Sequence, residues 1–509
     1  MEAVYRTPSF KIEVIRPDWG SVVEYKYVNS TPYAVFLSAQ EVNVRAGEYN
    51  NLLSYSFSHS LADLSGSFSF SMREPRAYLY DQFSVMDFVY IFEFGELRFI
   101  GIVRQVSWSG QMSESGGRRV CTVSGTSATV LLSEYKLILD QAIFATSVVA
   151  GDVQERLAIK LAGIQNVGTP IRSAMIAVYD AWINTMAEIV EEPVITFSSL
   201  LNGLFDLSSE TSDKVVFWYP AAYSIFANGE QDLLSVLQQF VQPPLMEFFA
   251  RPDDRTKKML FYLRLVPFGL GKNAPALLDP GTADAQQYLG DWYDLPINSI
   301  PTVLISNMNL VKSDANIYSY YFAYPDSGGF NSHATMIAAG SPTGGGSKVD
   351  IDKWRKYGYR PLIVPFKFFK RDTIDNLLAS STTVFGRLSK AVYEAFHMND
   401  ELVQGTITMA SVPLGFGVRA GSIMGDPKIG ERVNLEGSEI EFYVEQTAHS
   451  WTYGGPMTTE LKVSRGANYR GGAVKAIGDI DLRLGTPAQT IIPIESTPPS
   501  FGVRPNRHI

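Results

Sequence analysis

A weak internal repeat constrains the fold of this chain more than any other feature of its sequence. Phe99–Gly110 resembles Phe442–Gly454, since each begins at an aromatic residue and reaches a Ser-Trp pair shortly before a glycine. A candidate return strand follows each segment, at Val120–Ser124 and at Thr459–Ser464. If the repeat is genuine, two similar small β-barrels bracket a different middle region. Chance similarity between two amphipathic hairpins is the competing interpretation.

Alternating and aromatic patterns predict strands throughout the N-terminal part of the chain. Ser65–Met72 alternates small polar residues with large apolar ones, which is the period-2 pattern of a half-buried strand. Phe88–Phe94 and Leu97–Val106 are apolar, aromatic runs joined at a Gly-Glu turn, and this arrangement predicts a hairpin. Several short strands with regular turns indicate a small barrel or sandwich.

The middle of the chain contains both helical and strand patterns of apolar residues. Spacing typical of helices occurs at 153–162, 173–189 and 231–241. Strand patterns follow at 245–250, 259–267 and 300–324 and, beyond a loop rich in Gly, Ser and Pro at 340–346, at 360–369. A long amphipathic helix is predicted at 372–398, and strands resume at 405–465.

These patterns predict a mainly β chain with an α+β middle. We divide it into an N-terminal β-barrel domain at residues 1–145, a mixed α+β region at 146–355, and a long helix with a second β-barrel domain at 356–470. Residues 471–509 carry scattered Pro and Gly with little periodicity, so we expect an extended C-terminal arm there.

The composition argues against a protein that holds nucleic acid or inserts into a membrane. The net charge is −9 and there is no long basic run, whereas holding nucleic acid requires clustered Lys and Arg that neutralise phosphates. An acidic protein can still let DNA pass without binding it. No window reaches 18 uninterrupted apolar residues and no secretory signal opens the chain, so we expect a soluble product made in the cytoplasm.

The sequence shows no catalytic, cofactor or metal site. The single cysteine, Cys121, lies in an alternating run and is predicted to be a buried structural thiol. None of the five histidines has a second ligand at metal-binding spacing. His449 is expected to be a packed strand residue, and His397 to lie at the end of the long helix as a terminal cation or cap. We therefore predict no catalytic residues, no cofactor and no metal.

Two glycine-rich segments do not fit nucleotide-binding loops. Gly344–Lys348 has its serine before the lysine rather than after it, so a flexible linker is the better interpretation. Gly415–Gly421 has one residue too many for a dinucleotide-binding fingerprint and opens no helix. Small acidic clusters at 188–192 and 210–213 are expected to be solvated, although paired carboxylates from distant positions could still form a glycosidase.

A series of segments, taken in order, resembles the baseplate hub proteins of phage tails, the late-control and VgrG-like family. Met259–Phe268, for example, is similar to the strand with Arg and Pro-Phe that follows a helix and a double proline in that family. The matching segments are 66–70, 99–103, 259–268, 306–318, 356–361, 405–409, 418–421, 443–451 and 458–466. Their order and spacing, over most of residues 60–466, carry the resemblance.

The resemblance implies a mechanical function rather than an enzymatic one. Hubs of this kind form homotrimers in which each chain supplies two barrel domains, which gives a pseudo-sixfold ring. The ring joins the tail tube to a central spike or tail tip, and DNA passes through it only in transit. The tape measure protein and the baseplate wedge are further implied partners. The implied location is the virion, in the tail baseplate, after assembly in the host bacterial cytoplasm.

Two other functions stay open at this point. A hub could also hydrolyse cell wall, although such activity usually occupies an appended domain and this chain ends shortly after the second barrel pattern. A carbohydrate- or receptor-binding tail protein would account for the 26 Tyr and 7 Trp residues, and it predicts exposed aromatic platforms and affinity for glycans.

Overall fold

The structure of the chain is a computed structural model. It describes residues 9–16, 34–37, 48–49, 51–73, 83–111, 118–134, 136–139, 175–180, 204–207, 229–269, 276–278, 285–287, 289–325, 347–366, 388–411, 417–419, 422–424, 427–436 and 438–469.

The described residues are mainly β-strand, as the sequence predicts. The N-terminal strands are β1 (Phe10–Ile15), β2 (Ala34–Leu37), β3 (Glu48–Tyr49), β4 (Leu52–Ser60), β5 (Ser67–Arg73), β6 (Phe88–Glu93), β7 (Glu96–Gln111), β8 (Arg118–Ser127) and β9 (Lys136–Leu139). The middle strands are β10 (Phe205–Asp206), β11 (Gly229–Asp232), β12 (Met246–Pro252), β13 (Met259–Leu265), β14 (Ala276–Leu278), β15 (Ala285–Gln287), β16 (Ile297–Ile300), β17 (Ile305–Val311), β18 (Tyr320–Pro325), β19 (Ser347–Val349) and β20 (Pro361–Phe366). The C-terminal strands are β21 (Val403–Ala410), β22 (Gly417–Arg419), β23 (Ser422–Met424), β24 (Arg432–Leu435), β25 (Ile440–Thr452) and β26 (Met457–Asn468).

The helices within these ranges are short. They comprise Val130–Glu134, 175–180, Leu233–Gln239, Ile351–Tyr357 and 388–396, with single 3-10 turns at Trp292–Asp294 and Thr302–Leu304.

Three of the predicted helices can be compared with the structure. Leu233–Gln239 confirms the helix predicted at 231–241, and it begins at Asp232, whose side chain accepts a hydrogen bond from the backbone N–H of Ser235. The helices 175–180 and 388–396 fall within the two longer predictions. The other parts of those predictions lie largely outside the described residues, as do the predicted helix at 153–162, the loop at 340–346 and the arm at 471–509.

Strands β4 to β8 form the first of two antiparallel units, which we call the first unit. Their order in the sheet is β4-β5-β8-β7-β6, and every neighbouring pair is antiparallel. Strand β1 continues this sheet beyond β6 and is followed by β2 and β3.

Strands β17, β21, β24, β25 and β26 form the second unit and repeat this arrangement. Their order is β17-β21-β26-β25-β24, and again every neighbouring pair is antiparallel. If the five strands of each unit are numbered along the chain, their order across the sheet is therefore first, second, fifth, fourth and third in both units. This common topology supports a genuine repeat over a chance similarity of two hairpins. Closure of the units into two barrels stays a prediction.

A β-bulge lies at the equivalent place in both units. The register between β7 and β8 shifts between Val103 and Gln105, and the register between β25 and β26 shifts between Val444 and Gln446. Aligning the bulges sets Val103 against Val444, which differs by two residues from the alignment of the Ser-Trp pairs. Because side chains alternate with a period of two, both alignments keep every side chain on the same face.

Strand β25 joins the two units into one sheet. Its first residues pair with β24, while Gln446–Thr452 pairs with Ser54–Ser60 of β4 in an antiparallel register. We call these two paired segments and the side chains packed on them the joint. Within the described ranges, 16 strands belong to this continuous sheet.

Strand β6 and the first part of β7 are buried on both of their faces. Along β7, Phe99 and Val103 face a core shared with β4 and β5, while Ile100 and Ile102 face a second core that includes Phe249 of β12. The middle region therefore covers the outer face of the first unit. Strands that are covered on both faces have continuous apolar sequences instead of alternating ones. Strand β6 is such a strand, since it is buried at every position.

The structure adds one detail to the predicted domain division. Strands β16 and β17 fall in the proposed middle region at 146–355, yet they pair with β24 and β21 of the second unit. The boundaries at 145, 355 and 470 stay predictions.

Substitution of Gly125 tests the close approach of strands at the first bulge. A Cβ on Gly125 would lie 1.9 Å from the carbonyl oxygen of Ile102 and 2.6 Å from the Phe68 ring. We expect Gly125→Ala to lower the free energy of unfolding by roughly 2 kcal/mol or more, because the backbone has to move. Gly110→Ala is the matched control, since its nearest neighbour lies at 4.0 Å. Urea-unfolding midpoints would measure both, and equal losses would contradict the close approach.

Candidate functional site: the joint between the two units

Backbone hydrogen bonds extend the joint beyond its paired segments at both ends. The N–H of Leu61 donates to the carbonyl of Glu445 at 2.8 Å, and the N–H of Tyr453 donates to the carbonyl of Leu53 at 2.7 Å. The two units are therefore connected by main-chain pairing as well as by side chains. An edge connected in this way is not available to other chains.

A buried carboxylate lies at the centre of the joint. Glu93, at the end of β6, is fully buried and accepts a hydrogen bond from the Tyr55 hydroxyl at 2.7 Å. Its other oxygen lies 2.8 Å from Nδ1 of His449, which is also buried. The three side chains come from β6, β4 and β25, so both units contribute to a single polar cluster.

The electrostatics of the cluster keep Glu93 ionised. Burial alone raises the pKa of its carboxyl group, because the charged form loses its hydration. The charge and hydrogen bond of His449, the charge of Arg98 and the hydrogen bond of Tyr55 together outweigh burial, so the pKa of Glu93 lies below its ordinary value. Glu93 is therefore an anion held by groups from both units.

Aromatic rings surround this cluster and continue the core of the first unit. The His449 ring stacks on Phe57 with centroids 4.6 Å apart and an interplanar angle of 7°. Trp451, two residues further along β25, lies 4.6 Å from Phe10 and 6.0 Å from Tyr55. The tip of the second unit's hairpin thus completes the hydrophobic core of the first unit.

His59 is a second histidine of the joint. Its Nε2 lies 3.0 Å from the carbonyl oxygen of Arg98. Loss of hydration lowers the pKa of His59 to about 4; the hydrogen bond to Arg98 opposes this shift and the nearby His449 adds to it. At neutral pH His59 is therefore uncharged and donates its ring N–H to the carbonyl.

Ion pairs close one side of the joint, where the middle region also meets it. Glu96 at the start of β7 lies 2.5 Å from Nζ of Lys428 and 3.0 Å from Nη2 of Arg98. The N–H of Leu97 donates to the Asp254 carboxylate, at the turn between β12 and β13, at 3.1 Å. The first unit, the second unit and the middle hairpin therefore meet at this point.

A small cavity lies at this meeting point. It measures about 30 Å³, and its lining includes His59, Arg98, Arg251, Lys428 and His449. This volume holds one or two water molecules. Pockets that bind organic ligands are roughly tenfold larger. The chemistry of the joint is therefore suited to holding strands together and not to binding a substrate.

A further polar cluster attaches the middle hairpin to the second unit. Arg264 of β13 lies 2.5 Å from Glu247 of β12, and its Nη2 donates to the Tyr443 hydroxyl at 3.0 Å. The Tyr443 hydroxyl in turn lies 2.7 Å from both oxygens of Glu247. Burial, together with the negative charge of Glu247, raises the pKa of Tyr443 well above its ordinary value. Tyr443 consequently stays protonated and acts as a donor.

The predictions for His449 and Cys121 are confirmed. His449 is a packed strand residue, and Cys121 is buried. Nδ1 of His397 lies 3.0 Å from the carbonyl oxygen of Tyr393, next to the end of the helix 388–396. Within Gly415–Gly421 the chain forms strand β22 and opens no helix over its described part. Outside the described residues lie the histidines at 333 and 508, the acidic clusters at 188–192 and 210–213, and the glycines at 344–346. Ser347 and Lys348, the end of the predicted linker, lie in strand β19.

Sequence reasoning missed Glu93 and Tyr55 at the centre of the joint and did not connect His449 with them. Glu93 is the one charged residue in the aromatic run Phe88–Phe94, and a charge in such a run is a signal for a buried polar partner. Its partner His449 is 356 positions away, however, and nothing local identifies it. Over the described ranges, no group of three or more His, Cys, Asp or Glu side chains could hold a metal ion, and no helix there is long and apolar enough to span a membrane.

Comparison with known proteins gives loose structural likenesses. No protein-family model matches the sequence, and a search of curated proteins returns no significant match. A tail protein from Neisseria meningitidis MC58 is similar at a TM-score of 0.42 and 11% identity, over 89% of this chain and 96% of that one. A 43 kDa tail protein of prophage MuSo2 from Shewanella oneidensis is similar at 0.41 and 12%, over 82% and 94%.

A third likeness comes from type VI secretion. An Escherichia coli component of that system, described as structurally similar to the T4 phage tail proteins gp27 and gp5, gives a TM-score of 0.34 at 8% identity, over 84% of this chain and 76% of that one. The structural neighbours are thus phage tail proteins and type VI secretion proteins, the classes that the sequence resemblance predicts. Each of these TM-scores lies below 0.5, so these likenesses do not assign a function to this chain. Its function is inferred from the arrangement of its own strands.

Acid is expected to weaken the joint through His59. The pKa of His59 falls from 6.5 to about 4 on folding, so the unfolded chain binds the proton first as the pH drops. The stability from this group is complete above pH 6.5 and is lost as the pH falls toward 4, which amounts to about 2–3 kcal/mol by pH 4.5. Protonation of Glu93, whose pKa is lowered, acts in the same direction at still lower pH.

Urea unfolding of the wild type and of His59→Gln between about pH 7.5 and pH 4.5 measures this effect. This range of about three pH units includes the ordinary histidine pKa. The glutamine amide can still donate to the Arg98 carbonyl but does not titrate. The variant should lose less stability than the wild type over this range. Identical losses would show that His59 is not held neutral by the fold.

Proposed function

We propose that this chain is a structural hub of a phage tail baseplate or of a phage-like injection system. The observation that carries the proposal is the repeat of one five-strand topology, in two units joined edge to edge within one chain. A homotrimer of such chains presents six similar units, which is what a connector between a sixfold tube and a threefold spike requires.

The chemistry of the joint supports a mechanical role. Its charged groups are paired with one another across the units, as with Glu93 and His449 or Glu96 and Lys428. The cavity between them has room for water alone. Groups arranged in this way fix the relative position of the two units, and at the joint they face one another instead of a ligand. We therefore infer a protein that transmits position and force and is not an enzyme.

The proposed partners follow from this role. The tail tube protein would contact one end of the ring and the spike or tail-tip protein the other, with the tape measure protein and the baseplate wedge as further neighbours. DNA would pass through the ring without being held, in keeping with the net charge of −9. The proposed location is the tail baseplate of the virion, after assembly in the host cytoplasm.

The oligomeric state tests the proposal most directly. We expect light scattering to give about three times the 56.4 kDa mass of one chain, alone or with the spike partner added, and negative-stain images to show a ring with a central hole. A protein that stays monomeric in the presence of its spike partner would contradict the hub proposal.

A cell-wall assay tests the absence of catalysis. We expect the purified protein to leave suspended bacterial cell walls unchanged, because the cavity of the joint is too small for a glycan and no carboxylate lines it. A known lysozyme serves as the positive control. Clearing by this chain that disappears on substitution of a single Asp or Glu would show a hydrolase in addition to the hub.

A further inference from the structure

The two equivalent hairpins of the chain differ in what surrounds them. In the second unit, the β25–β26 hairpin lies on β4, and its Trp451 is 8% exposed within the core of the first unit. In the first unit, the segment Gln105–Gln111 of β7 pairs with β8 on one edge and has no strand of the described residues on the other, and its Trp108 is 59% exposed. Both tryptophans follow a serine in the repeated segment. One hairpin is therefore seated on a strand, whereas the other presents the same type of residue to solvent.

The strands that could receive these hairpins differ in a complementary way. Strand β4 is the first strand of its unit and pairs with β5 on one edge and with β25 on the other. Its equivalent, β17, pairs with β21 on one edge, and within the described part of the chain no strand lies on the other. The chain thus contains one complete joint and, separately, the two halves of a second.

Neither half of the second joint has the usual protection of an exposed edge. Natural edge strands carry charges, prolines or inward-pointing lysines that discourage pairing with another chain. Strand β17 (Ile305–Val311) contains no charged residue and no proline, and neither does the segment Gln105–Gln111 of β7. Such edges are compatible with a soluble protein when they are paired in the assembly.

We infer that β7 of one copy pairs with β17 of the next copy and seats the Trp108 hairpin there, in the way that β25 pairs with β4 within the chain. The partner is a second copy of this chain, so this inference rests on the hub proposal and deepens it. Each copy offers one half at each end, which makes the contact heterologous, and three such contacts close into a ring.

The bulges define the register of this contact. Trp108 lies five positions beyond Val103, as His449 lies five beyond Val444, so the two are equivalent. On the receiving strand, Leu310 occupies the place that Phe57 has in β4. His449 pairs with Phe57 in the joint, and Trp108 is therefore placed opposite Leu310 of the next copy.

The equivalent of Leu310 follows from a chain of paired residues. In the first unit, Phe57 lies two residues beyond Tyr55, which pairs with Phe70, and Phe70 pairs with Val123 of β8. In the second unit, Met308 pairs with Ile407, and Ile407 pairs with Leu461 of β26.

Val123 and Leu461 are equivalent because each lies two residues before the position that faces its bulge valine. Met308 therefore corresponds to Tyr55, and Leu310 to Phe57. Leu310 packs on the core of the second unit, so Trp108 would extend that core as Trp451 extends the first.

Cysteine cross-linking tests the pairing and its register. The register places Ser109 opposite Asn309 of the next copy, within the range of about 4.5–5.5 Å between Cα atoms that antiparallel pairs show and a disulfide spans. We expect Ser109→Cys mixed with Asn309→Cys to give a covalent dimer on oxidation, and the double variant to give a covalent trimer. The pair Ser107→Cys and Asn309→Cys, which corresponds to alignment of the Ser-Trp pairs, is expected to cross-link poorly.

The chain provides a matched control for this experiment. Ser450 and Ser56 occupy the equivalent positions in the joint and pair directly in the structure. A chain with Ser450→Cys and Ser56→Cys should form its cross-link within one copy, without a change in mass. Cys121 is buried and is present in every variant, and the wild type controls for it.

A second variant tests the role of the tryptophan. We expect Trp108→Ala to weaken trimer formation roughly tenfold or more, as truncation of a central aromatic residue does in other interfaces. Tyr453→Ala is the matched control, because Tyr453 is 70% exposed at the tip of the hairpin that is already seated. The control should assemble as the wild type does.

The outcomes separate this inference from the hub proposal. A ring that forms without the Ser109–Asn309 cross-link, and that tolerates Trp108→Ala, would overturn the inferred pairing and leave the hub proposal standing. Cross-linked assemblies that contain a number of copies other than three would support the pairing and overturn the trimer. A chain that remains monomeric with its spike partner and forms no cross-link between copies would overturn both.

Discussion

The pairing of β4 with β25 is the constraint on which the arrangement of the two units depends. It places Glu93, an anion without contact to bulk solvent, between Tyr55 and His449. Removing one partner of a buried charge costs about 3–5 kcal/mol, so only a register that keeps these contacts is tolerated. A slip of one residue would turn His449 to the opposite face of the sheet. The buried cluster therefore specifies how the two units meet.

The middle region adds contacts to both units beyond those of the joint. It covers the outer face of the first unit with Phe249 and its neighbours, and it attaches to the second unit through Arg264 and Tyr443. The same hairpin contacts the start of β7 through Asp254. Both units are consequently held by their shared sheet and by a third element that contacts each of them.

Much of the fold could be predicted from local patterns, because buried positions of strands and helices recur at regular spacing and are occupied by apolar residues. The alternation in Ser65–Met72 matches β5, and the helix at 231–241 is confirmed with its Asp232 cap. The joint could not be predicted in this way, since Glu93 and His449 meet through pairing of distant strands and nothing near Glu93 in the sequence identifies its partner. The repeat was visible, but its register differed by two residues, because the bulges that define it have no sequence signature of their own.

The direction of the joint's hydrogen bonds determines how the chain would respond to load. The seven residue pairs from Gln446–Ser60 to Thr452–Ser54 run side by side along two antiparallel strands. A pull along the strands loads all of these bonds at once, in shear, whereas a pull across them would open the strands one bond at a time, as a zipper does. The joint is therefore strong in one direction and weak in another. A device that drives a spike through an envelope would gain from aligning the strong direction with its thrust.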